Sequence, residues 1–204
     1  MELRKLLLFA FMISGMSALI YEVVWARQLQ LIFGSIIYAV STILTTFFVG
    51  FAFGAFIIRN YADRTENPLK IFGLLQLGIG LYGLIILWLF KFLTLVYLPL
   101  IKIQGAQFVQ FTIILLVLII PTTLFGAIWP VISKNYINLN LLGEDTGKLY
   151  SFNSFGAGIG SVLAGFVLIP LLGIRMTSIF VACLNIIIAV IIFVKIKREK
   201  NKQK

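Results

Sequence analysis

The 204-residue chain has no histidine, a single cysteine and only seven acidic residues. Without histidine there is no imidazole to bind a metal or to act as a general base near neutral pH. A lone Cys183 excludes an intrachain disulfide. Charged residues make up 12 % of the chain, about half the share usual in soluble domains. That is too few to solvate the surface of a water-facing globule.

What the chain has instead is apolar: 61 % of residues are hydrophobic and the mean hydropathy is +1.07, the composition of an integral membrane protein. Crossing a bilayer takes roughly 20 apolar residues. Six segments reach that length, near residues 6–25, 35–58, 70–91, 107–132, 149–171 and 174–195. The expected fold class is therefore all-α, a polytopic membrane protein with a six-helix transmembrane domain over 1–195 and a basic cytoplasmic tail over 196–204. Glu2, Arg4 and Lys5 before an apolar run give the start some likeness to a signal peptide. No small-residue cleavage site precedes Tyr21 and Glu22, so the first helix is expected to be retained.

Seventeen basic residues against seven acidic ones leave a net charge of +10, which in a soluble chain would suggest nucleic acid. Here six of the seventeen crowd into the last ten positions, KIKREKNKQK. In a membrane protein such a tail is a topology signal or an anionic-lipid contact, so the bilayer and not nucleic acid is the expected partner. With the N terminus inside, only Arg27, Lys91, Lys102 and Arg175 fall on the outer segments and the other thirteen basic residues fall on the inner ones. This predicts a multi-pass protein of the cell membrane with both termini cytoplasmic.

Small residues mark the helix contacts. From Tyr150 to Pro170, Ser154, Gly158, Ser161 and Gly165 form one stripe at helical spacing and Asn153, Ala157, Gly160 and Ala164 a second. In lipid, helices associate through close packing, which small residues permit, so this pattern predicts a central helix with two close neighbours. Gly50 and Gly54, at GxxxG spacing, predict another close contact on the second helix. In the third, Gly78, Gly80 and Gly83 match GxGxxG formally. No strand precedes them and no helix N-terminus opens there for a phosphate, so they read as a packing face.

Polar residues inside apolar segments are the candidate binding groups. Glu22 is the one carboxylate placed within the hydrocarbon, where it needs a partner or a proton. For a cationic solute Glu22 would be the counter-charge, Gln76, Asn153 and Asn185 the hydrogen-bonding amides, and Tyr21 or Trp25 the cation–π faces. The plainer alternatives are a structural Glu22–Arg27 pair and interhelical amide bonds worth about 1 kcal/mol. Pro121 and Pro130 are expected to bend or break the fourth helix. Residues 92–105, FLTLVYLPLIKIQG, are too short to cross again and should lie at the interface or extend the third helix. Glu144 and Asp145 are the natural acidic start of the fifth.

Two halves of the chain share a weak pattern. SALIYEVVWAR can be set against FGAIWPVISK, each with an aromatic residue, an apolar run and a terminal base. The second and third segments likewise resemble the fifth and sixth. Three spans separate the units, so they would run in opposite orientations, a 3+3 inverted repeat of the kind that builds each six-helix half of major facilitator transporters. GAFIIRNYADR, residues 54–64, resembles the glycine and Asp-Arg gating signature between the second and third helices of that superfamily, carried here by Gly54, Asp63 and Arg64, with TENPLK in place of its later basic part.

Four stretches together resemble the membrane region of fused spermidine synthase-like proteins: residues 18–35 (ALIYEVVWARQLQLIFGS), 50–84, 125–134 (FGAIWPVISK) and 149–185. In that family the helices precede a soluble aminopropyltransferase-like domain. No strand-turn-helix glycine loop and no acidic catalytic cluster follow the sixth segment here. The resemblance thus implies a membrane module that is not an enzyme and carries no cofactor. It implies one of two roles: a homodimeric half-transporter handling a small solute such as a polyamine, or a membrane platform for a separately encoded aminopropyltransferase-like protein.

Overall fold

The computed structural model describes residues 3–100 and 105–202. Among them there is no strand: the chain is all-α, and five helical stretches are long and apolar enough to cross a membrane. The first four are α1 (Leu3–Phe33), α2 (Ile36–Arg64), α3 (Pro68–Leu100) and α4 (Ala106–Tyr136). A 3₁₀ turn (Leu139–Leu141) then leads into a fifth stretch built of α5 (Leu142–Leu163), one π-helical turn (Ala164–Leu168) and α6 (Ile169–Lys202).

Helices of 29 to 33 residues overrun the segments that hydropathy picks out. At 1.5 Å per residue they are about 45 Å long, the thickness of a bilayer with its head groups. Apolarity marks only the hydrocarbon, whereas the backbone ladder continues until a residue stops it. Glycines with left-handed φ do so at Gly34 (67°) and Gly105 (85°), and Gly173 (75°) breaks the backbone inside α6. The 92–105 segment accordingly extends α3 as far as Leu100, while Lys102 lies outside the described residues. The basic residues from Lys195 to Lys202 continue α6 as helix, and Glu2 and Lys204 lie outside the described residues.

The helices pair closely as α2 with α4, α1 with α5 and α3 with α6, and α1 packs against each of the other α-helices. Glycine sets the closest crossings. A Cβ on Gly54 or Gly50 would strike Thr123 or Thr122 of α4, and one on Gly126 would strike the backbone of Phe51 in α2. In the α1–α5 pair, Gly156 and Gly160 receive the backbone of Met12 and Met16, and Gly15 receives Asn153. Gly78, Gly80 and Gly83 meet α4, α6 and α1 in turn, through Leu124, Ala182 with Ile186, and Tyr21.

The expectation of two close neighbours for α5 is corrected. Gly158 and Gly165 have open space where a side chain would stand, and Ser154 and Ser161 beside them are exposed, so only the other face of α5 packs within the chain. The outer surface carries large apolar groups, with Phe108, Phe166 and Leu171 each more than three-quarters exposed (79, 81 and 77 %). Such a surface suits lipid, not water.

Pro121 and Pro130 are both accommodated inside a continuous α4. Pro121 has no N–H for the carbonyl of Val117, one turn earlier. The Tyr82 hydroxyl of α3 donates to that carbonyl instead, at 2.7 Å. At one end of the bundle Arg4 pairs with Asp145 at 2.6 Å and donates to the Tyr136 carbonyl at 3.2 Å, tying α1 to the start of α5 and the end of α4. Lys134 donates to the carbonyls of Asp63 and Thr65, closing the C-terminal end of α2.

Candidate functional site

A cavity of about 290 Å³ lies where α1, α2, α4 and α5 converge. The small residues that let these helices cross also leave the space: Gly15 and Ala18 of α1, Ala55 of α2, Gly126 of α4 and Ala157 of α5 line it. Four rings, Phe11, Phe51, Phe125 and Trp129, form most of the remaining wall. Its polar side chains, besides the Trp129 indole, are Ser14 and Asn153. The Ser14 hydroxyl is buried and has no hydrogen-bond partner among the described residues.

Aromatic packing makes part of this wall rigid. Phe125, Tyr21, Trp25, Phe47 and Phe51 form a closed circuit of ring contacts across three helices, with centroids 4.9 to 6.5 Å apart. Each such pair contributes about 0.5–1.5 kcal/mol beyond burial alone. Tyr21 and Trp25 are fully buried in this circuit, behind Phe51 and Phe125, which line the cavity.

Of the six residues proposed from sequence as binding groups, Asn153 lines the cavity. Glu22 is half-buried. It lies three residues beyond Leu19 and four beyond Ala18, hence on the cavity face of α1 and one turn, about 5.4 Å, further along. No hydrogen bond or ion pair joins it to any described residue, and Arg27 donates instead to Gln30 at 2.6 Å.

Gln76 and Asn185 sit elsewhere, in the seam between α3 and α6. Gln76 falls between Gly73 and Gly80, whose neighbours are Ile192 with Phe193 and Ala182 with Ile186. Both amides are fully buried. Asn185 donates to the Val181 carbonyl at 2.8 Å, and neither its Oδ1 nor either amide atom of Gln76 has a partner among the described residues.

Of the loop signature, Gly54 is a crossing point and Asp63 contributes its carbonyl to Lys134. The sequence does not single out Phe51, marks Ser14 only as a small packing residue and Phe125, Trp129 and Lys134 only as parts of FGAIWPVISK, because each acquires its role from a helix far away in the chain. Among the described residues, no three His, Cys, Asp or Glu side chains gather as metal ligands would. No family model matches the chain, and no characterised protein or solved structure matches it at a significant level.

Proposed function

We propose that the chain is a solute-handling membrane module of six crossings, built as a 3+3 inverted repeat, whose binding site is the central cavity with Glu22 at its mouth. The single observation that carries this reading is a mid-bundle cavity walled by aromatic rings, with a carboxylate that has no partner among the described residues one turn beyond it on the same helix face. Aromatic faces and a carboxylate in a medium of low dielectric constant suit a small organic cation, in keeping with a polyamine-type amine.

Six crossings follow from length. The 60-residue stretch Leu139–Arg198 would be about 90 Å as one rod, three times the hydrocarbon thickness. The break at Gly173 divides it into two spans. With thirteen basic residues on one side and four on the other, both termini lie in the cytoplasm and the chain belongs to the cell membrane.

The inverted repeat is supported by the crossings. Exchanging α1 with α4 and α2 with α5 turns the α1–α5 pair into the α4–α2 pair. Residues 15 and 126 differ by 111, as do 12 and 123, while 54 and 156 differ by 102, as do 51 and 153. These shifts carry the Gly15–Asn153 and Gly156–Met12 approaches onto Gly126–Phe51 and Gly54–Thr123. They also align FGAFI (53–57) with FGAGI (155–159). The cavity lining obeys the same exchange, Gly15 with Gly126, Ala18 with Trp129 and Ala55 with Ala157, which sets it on the pseudo-twofold axis.

The open stripe of Ser154, Gly158, Ser161 and Gly165 is where a second copy would pack, giving a homodimer. Binding of polyamines to purified protein tests the reading. Wild-type protein should bind, and Glu22→Gln should weaken binding at least about tenfold, the loss of roughly 1.4 kcal/mol, with helical content and oligomeric state unchanged. Equal affinity in the variant would remove Glu22 from the site. Failure to bind any amine, together with co-purification of an aminopropyltransferase-like protein, would favour the platform role.

A further inference from the structure

Where the last turns of α1, the Leu84–Lys91 part of α3 and the part of α6 after Gly173 meet, a second opening of about 380 Å³ faces the surface. Lys91 of α3 and Arg175 of α6 both line it, with Gln28 of α1 and Trp88 beside them, and Leu84 and Ile179 forming apolar wall. No carboxylate lines this space. Neither Lys91 nor Arg175 is ion-paired to a described residue. Oε1 of Gln28 is buried and has no hydrogen-bond partner among the described residues.

The acid nearest to the opening along α1 is Glu22, six residues before Gln28 and about 9 Å along the helix, and it does not line the opening. Asp63, Glu66, Glu144 and Asp145 belong to the opposite end of the helices, with Arg4 and Lys134. Two cations from different helices that share one pocket repel each other until an anion enters. Charge-assisted hydrogen bonds from an ammonium and a guanidinium to phosphate oxygens are the strong kind. Trp88 is 71 % exposed, and exposed indoles favour the lipid head-group region.

We propose that this opening seats a phosphate-bearing anion, the head group of an anionic phospholipid, held by Lys91 and Arg175, with Nε2 of Gln28 the one atom of that amide able to donate to it. The apolar wall of Leu84 and Ile179 favours the lipid source, since it offers a course for an acyl chain that free phosphate has no use for. The site requires insertion in a membrane, but neither transport nor dimerisation.

Native mass spectrometry of the detergent-purified full chain tests it, with added phosphatidylglycerol, phosphatidylcholine or inorganic phosphate. Phosphatidylglycerol should be retained at a concentration about tenfold or more below that needed for phosphatidylcholine. The Lys91→Gln/Arg175→Gln variant should lose this preference, each single variant should lose part of it, and Arg59→Gln, remote from the opening, should keep it. Thermal melts of the same samples separate lost binding from lost folding. Binding of inorganic phosphate with the same dependence on Lys91 and Arg175, in competition with the lipid, would support the site and make free phosphate a second source. Equal retention of the two lipids, or a preference unchanged in the double variant, would overturn the proposal.

Discussion

Individual side chains here do the work that water does in a soluble protein. The Val117 carbonyl lost its backbone donor to Pro121, and Tyr82 supplies another at 2.7 Å. Tyr82→Phe should therefore cost about 1–2 kcal/mol, because a half-buried acceptor is left unpaired. In a Pro121→Ala background the backbone N–H restored at that position can donate to Val117, and the same Tyr82 substitution should cost much less. Denaturation of the four proteins in detergent, read by circular dichroism, gives the coupling, and equal costs in both backgrounds would rule out this role for Tyr82. The two prolines are legible in the sequence as missing donors. That Tyr82 answers one of them is not, since 35 residues separate the partners.

Helix pairs are held by close backbone approach, and the glycines divide by what they face. Gly54 and Gly156 lie against the backbone of a neighbouring helix, so Gly54→Ala or Gly156→Ala should destabilise by about 1–3 kcal/mol through forced separation. Gly158→Ala meets nothing in the chain and gains helix propensity of about 1 kcal/mol. Its melting temperature in monomer-forming detergent should stay level or rise. Similar losses at all three positions would contradict the crossing geometry. Both faces of α5 look alike as sequence, because a stripe of small residues records that something comes close without recording what. Repeat register has the same difficulty. Matching the terminal bases Arg27 and Lys134 gives a shift of 107, whereas the glycine crossings give 111, one helical turn away.

Crossing number and sidedness are properties of the entire chain. Six crossings return the C terminus to the side of the N terminus, and five would leave it opposite. Reporter fusions after residue 202 and at the N terminus should give the same cytoplasmic signal, with fusions at Gly34 and Gly173 giving the opposite one. A C-terminal reporter on the far side would mean that Leu139–Arg198 crosses once. Composition and hydropathy were enough to establish helices, their approximate number and the charge asymmetry, because partitioning into lipid depends on local apolar length and each helix satisfies its own backbone. Tertiary structure alone decided that α1 and not α5 is the hub, that Tyr21 and Trp25 stand behind Phe51 and Phe125, and that Gln76 and Asn185 lie in a different seam from Glu22. The physical reason is that in lipid every helix face is equally apolar, so which face meets which neighbour is settled by steric fit between distant segments.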